Sequence, residues 1–69
     1  MNSVQVKKIA YPKLGIERIV VTQDNFSLVV TDKGGKRSVD FFESVYGESR
    51  RVMLTTRTNA LKQALLSYV

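Results

Sequence analysis

The chain has 69 residues, 11 of them Lys or Arg against 6 Asp or Glu, for a formal charge of +5, and it contains neither His nor Cys. At this length it is one domain, and at 43% hydrophobic and 25% charged it has the composition of a folded globular protein rather than a disordered tail. The missing Cys and His exclude disulfides, imidazole acid–base chemistry, Ser-His-Asp and Cys-His nucleophiles and an ordinary transition-metal site, so neither an enzyme nor a cofactor is expected.

In chain order, Val4 and Val6 alternate with polar neighbours as in an edge strand, and Pro12 bars that strand from the middle of a sheet. Ile16 to Thr22 is β-branched at five of seven positions, and Gln23-Asp24-Asn25 is a polar turn after it. From Phe26 to Thr31, Phe26, Leu28 and Val30 share one face while Ser27, Val29 and Thr31 share the other. Asp32-Lys33-Gly34-Gly35-Lys36 supplies glycines for a tight reversal. The return strand, Arg37 to Phe42 or Glu43, sets Val39 and Phe41 against Ser38, Asp40 and Phe42. Tyr46-Gly47-Glu48-Ser49 reads as a loop, and Arg50 to Leu54 alternates again.

From Thr55 to Tyr68 the period changes. Ala60, Leu61, Ala64, Leu65 and Tyr68 fall on one helical stripe, with Leu66 and Val69 off it. Thr55 or Thr56 is the expected N-cap, with no Glu or Gln three residues on to complete a capping box. The fold class is therefore α+β, a single domain over residues 1–69: an antiparallel meander of four to five strands with one C-terminal helix covering one face.

A core this small commonly needs a further staple. With disulfides excluded, a homodimer is expected, with Leu66 and Val69 suited to touching the second subunit. No apolar signal-peptide core and no stretch of about 18 apolar residues is present, so the expected location is intracellular, in cytoplasm or nucleoid or nucleus, with no membrane contact.

The excess of cations points to a polyanionic partner. Lys33, Lys36 and Arg37 ring the glycine turn, and Arg50 and Arg51 start the strand after the next loop, so the two groups are expected to meet where neighbouring strands run together. Such charges also serve simply to guard a sheet edge against aggregation. Phe42, on the face away from Val39 and Phe41, and Tyr46, in the loop between the basic groups, weigh toward recognition, because single-stranded nucleic acid uses rings for bases beside cations for phosphates. Phe42 fits a dimer interface nearly as well. Gly34-Gly35-Lys36 lacks the rest of a phosphate-binding loop and carries no weight as a nucleotide site.

The segment Leu28 to Glu43 resembles the hairpin of the positive-cofactor-four family of transcriptional coactivators, matching its pattern at Asp32, Gly35, Lys36, Val39, Asp40, Phe41 and Glu43. Arg50-Arg51-Val52-Met53-Leu54-Thr55, followed by Ala60 to Leu65, is similar to the family's basic strand, Leu-Thr corner and helix. The resemblance covers residues 28–69. It implies a four-stranded sheet backed by a helix, a homodimer joined through the helices, and binding of unpaired DNA along open sheet faces, with Lys33, Lys36, Arg50 and Arg51 at the family's basic positions. The sequence departs from the pattern at Thr31, Lys33 and Phe42 and in the short connection from Glu43 to Arg50.

The reading that follows is a non-enzymatic single-stranded nucleic-acid-binding protein, with DNA favoured over RNA, acting as a transcription or replication accessory factor. Its candidate contacts are Lys33, Lys36, Arg37, Phe42, Tyr46, Arg50 and Arg51. The alternative, from a different class, is a small inhibitor or adaptor that offers a strand edge or its basic face to an acidic protein partner.

Overall fold

The structure is a computed structural model and describes residues 3–69. Five strands, β1 (Gln5–Tyr11), β2 (Ile16–Gln23), β3 (Phe26–Lys33), β4 (Lys36–Val45) and β5 (Glu48–Arg51), form one antiparallel sheet in the order β1-β2-β3-β4-β5. One helix, α1 (Thr56–Leu66), follows. This is the expected α+β meander with a C-terminal helix; it has five strands where the family resemblance implies four.

Turn chemistry explains why each strand folds straight back on the last. Pro12 opens a 3₁₀ turn, Pro12–Leu14, between β1 and β2, its missing N–H costing nothing at that position. Gly34 and Gly35 join β3 to β4 with φ of 57° and 79°, the double positive φ that matches the twist of a two-residue hairpin. Tyr46 and Gly47 repeat it between β4 and β5 with φ of 51° and 80°. The stretch from Tyr46 to Ser49, expected as a loop, is thus a two-residue turn, and Glu48 and Ser49 already belong to β5. That strand is short, ending at Arg51, although the Val52 N–H still donates to the Phe41 carbonyl at 3.1 Å.

Register fixes the two faces. Val21 lies opposite Val6 and Leu28, Leu28 opposite Phe41, and Val30 opposite both Ile19 and Val39. These residues form the helix-side face, where Val21, Leu28, Val30, Phe41 and the helix residue Leu65 are buried together. The Phe26 and Phe41 rings stack there with centroids 5.6 Å apart. Because side chains alternate strictly along a strand, every neighbour of these residues points to the opposite, open face.

The helix packs on a stripe rotated from the expected one. Leu65 is buried and Leu61 and Leu66 pack against the core, while Ala60, Ala64 and Tyr68 are exposed. Alanine has too little apolar area to hold a helix face down when leucines are available one position away. Leu66, expected at a subunit contact, therefore belongs to the core of its own chain. The capping box, not expected from the sequence, is present: Thr58 N–H donates to Thr55 Oγ1 at 3.2 Å and Thr55 N–H donates to Thr58 Oγ1 at 2.7 Å. A threonine hydroxyl here does what Glu or Gln usually does. Among the described residues no helix is long and apolar enough to cross a membrane.

Candidate nucleic-acid interface

Four rows of side chains run across the open face. The first is Gln5, Thr22, Ser27, Phe42 and Arg51; the second Lys7, Val20, Val29 and Asp40. The third is Ile9, Arg18, Thr31 and Ser38; the fourth Tyr11, Ile16, Lys33 and Lys36. Half-buried Ile9, Ile16, Val20 and Val29 lie around Arg18, with hydroxyls beside them and the other cations toward the margins.

Charge is sorted between the faces. The strands carry eight Lys or Arg, of which Lys7, Arg18, Lys33, Lys36 and Arg51 lie on the open face and Lys8, Arg37 and Arg50 on the helix side. Of their carboxylates, Asp40 alone is on the open face, whereas Glu17, Asp32, Glu43 and Glu48 are on the helix side. The basic excess of the chain is thus concentrated on the surface that the helix leaves uncovered.

The residues singled out in the sequence divide accordingly. Lys33 and Lys36 face each other across the β3–β4 hairpin on the open face, both exposed. Phe42 is half-buried there, with the Arg51 guanidinium 5.5 Å from its ring centroid in cation–π geometry. Arg51 also donates from Nη1 to Asp40 Oδ1 at 3.0 Å, yet its side chain stays 75% exposed, so it is held loosely and can swing off the ring.

Arg37 and Arg50 lie on the other face, engaged by carboxylates. Arg37 donates from Nε to Asp32 Oδ1 at 2.8 Å and from Nη2 to Asp32 Oδ2 at 3.2 Å, a bidentate fork. These hydrogen bonds hold the Asp32 carboxyl below its ordinary range and raise the guanidinium above its own. Arg50 pairs with Glu48 at 3.6 Å. Tyr46 stands fully exposed (100%) at the tip of the β4–β5 turn.

The two basic groups do not meet as expected from the sequence. Arg51 lies opposite Phe42, six residues along β4 from Lys36, which is about 20 Å of extended strand. Antiparallel order puts the β3–β4 and β4–β5 turns at opposite ends of the sheet. What joins the two ends on the open face comes from β1 and β2: Lys7, Arg18 and the 40%-exposed Tyr11, none of them singled out in the sequence. The alternation of Lys7, Ile9 and Tyr11 carried the signal, but only pairing with β2 says which face it serves.

No protein-family model matches the chain, and no match is found among curated proteins or solved structures.

Proposed function

We propose that the protein binds single-stranded nucleic acid on the open face of its sheet, as a non-enzymatic accessory factor in transcription or replication. The observation that supports this best is the sorting of charge: five cations and one carboxylate on an uncovered face that also carries half-buried aliphatic residues, with Phe42 and Arg51 at one end and Tyr11, Lys33 and Lys36 in the row at the other. Bases stack on rings and lie over aliphatic side chains, while phosphates pair with the cations beside them. For a base to stack on Phe42, Arg51 moves off the ring and from Asp40 to a phosphate, exchanging one anionic partner for another. An open sheet with β-branched residues at its middle lacks the alternate Asn, Gln and Arg that read base edges in a duplex groove. The preference is therefore for unpaired strands with little sequence discrimination.

The test is electrophoretic mobility with single- and double-stranded oligonucleotides of the same sequence at two salt concentrations. Preferential retardation of the single strand, weakening steeply with salt as counterions are released, supports the reading; absence of a shift at low salt removes it.

The protein is also proposed to be a homodimer. Support comes from the small core, five fully or nearly fully buried apolar residues among those described, and from exposed Met53, Leu54, Tyr68 and Val69. Sedimentation equilibrium at micromolar concentration is expected to report twice the chain mass, and a monomer throughout that range contradicts it.

A second reading, an adaptor for an acidic protein segment, draws on one feature: β1 is an outer strand of the sheet and carries Lys7 and Lys8 with no acid. An extended acidic peptide pairing with that edge would leave the open face free.

A further inference from the structure

Arg18 sits in the middle of β2, on the open face, with Ile9 beside it on β1 and Thr31 on β3. The ion pairs among the described residues join Arg37 to Asp32, Arg50 to Glu48 and Arg51 to Asp40, and Arg18 is in none of them. Its Nε is buried and has no hydrogen-bond partner among the described residues. A buried N–H without an acceptor is costly, more so on a charged group. An anion at the accessible part of this guanidinium meets a charge that no carboxylate among the described residues neutralises.

Register shows what surrounds it. Lys7 is two positions from Ile9 along β1, and Lys33 is two positions from Thr31 along β3, displaced in the opposite sense. Both are diagonal neighbours of Arg18, with spacings of about 7–8 Å, so Lys7, Arg18 and Lys33 form one oblique line across three strands. The line ends beside Lys36, opposite Lys33 on β4. No carboxylate of the open face stands on it; Asp40 lies off it, beside Arg51.

We propose that the phosphodiester backbone of a bound single strand follows this diagonal, with a phosphate seated on Arg18 at its centre and bases turned toward Val20, Val29 and Phe42. This rests on the reading of the open face as a single-strand site and adds its track and central anchor. The chemistry recognised is a chain of phosphodiesters at regular spacing. The hydroxyls of Thr31 and Ser38, in the same row as Arg18, are additional donors to phosphate or sugar.

The test is fluorescence anisotropy with an end-labelled, mixed-sequence single-stranded 12-mer over a salt series, using wild type, Arg18→Met, Arg18→Lys, the double variant Lys7→Ala with Lys33→Ala, and Arg57→Ala on the helix as a control away from this face. Arg18→Met is expected to weaken binding about tenfold and to flatten the slope of log affinity against log salt by about 0.7, the value of one phosphate contact on a single strand. Arg18→Lys is expected to keep the slope and lose part of the affinity, because it keeps the charge without the planar fork. The Lys7 and Lys33 side chains are exposed, so their double variant folds even if Arg18→Met does not, and it is expected to flatten the slope by about 1.4. Arg57→Ala is expected to match wild type. If wild type binds and the Arg18 and Lys7/Lys33 variants keep its slope and affinity, the diagonal track is wrong while the single-strand reading stands. If wild type does not bind the 12-mer at low salt, both fall.

Discussion

The two faces of this sheet come from the same strands by alternation of side chains, yet they serve opposite ends. On the helix side, apolar residues are buried with Leu65, and Arg37 and Arg50 are each met by a carboxylate. On the open side, apolar residues stop at half-burial, Arg51 is met by Asp40, and Arg18 is in no ion pair among the described residues. The helix side holds the wholly buried core, and the open side carries Lys7, Arg18, Lys33 and Lys36 outside every ion pair among the described residues. In a small domain with few wholly buried residues among those described, a face left in that condition forgoes stability, since completing the burial of a half-buried apolar side chain is worth on the order of 1 kcal/mol.

Adjacent residues on opposite faces give the sharpest way to break this contrast. Phe41 is buried against Phe26, and Phe41→Ala is expected to cost about 3–5 kcal/mol, enough to unfold most molecules at room temperature; a circular-dichroism melt reads this directly. Phe42 is half-buried on the other face, so Phe42→Ala is expected to cost about 1 kcal/mol of stability and to weaken single-strand binding by roughly 1–3 kcal/mol at constant salt. If Phe42→Ala unfolds the chain, or splits a dimer without changing affinity per subunit, then Phe42 is a packing residue and the contrast between faces fails at that point.

Smaller effects sharpen the helix side. Thr55→Ala removes the hydroxyl that accepts from Thr58 N–H and is expected to lower stability by about 1 kcal/mol in chemical denaturation, with single-strand affinity unchanged. The smallest effect belongs to the exposed Asp32–Arg37 pair. The hydrogen bond from Arg37 lowers the Asp32 pKa in the folded protein. The contribution of the pair is therefore present above the unfolded value of 3.8 and is lost as pH falls through the lower folded value. Asp32→Asn is expected to melt slightly below wild type at neutral pH and together with it in strong acid. Because the pair is exposed, the difference is small and shrinks with salt; a difference that grows in acid would contradict the assignment.

Most of the fold was legible because period-two alternation and turn residues are local signals. The strand from Phe26, the glycine reversal and the return through Phe41 need only neighbours in sequence to be read. The helix was legible as an element, but its buried stripe was not, since choosing between Ala60 with Ala64 and Leu61 with Leu65 depends on the sheet beneath. The capping box at Thr55 was missed because Thr58 falls outside the usual Glu or Gln pattern. The candidate site was half legible. Lys33, Lys36, Phe42 and Arg51 lie on one face, but proximity in sequence drew in Arg37 and Arg50, which alternation sends to the other. Arg18 and Lys7 were invisible because their importance comes from the β1–β2 and β2–β3 registers, which no local pattern specifies.

The most direct measurement is a titration of uniformly ¹⁵N-labelled protein with an unlabelled mixed-sequence single-stranded 12-mer, followed by amide chemical shifts at low salt. The expected result is a set of shifts running obliquely across the open face, largest around Lys7, Arg18, Val20, Thr31 and Phe42, with the amides of α1 nearly still. Shifts gathered along the helix or at the outer edge of β1, or none at all, would contradict the claim that the uncovered face of the sheet is where this protein meets nucleic acid.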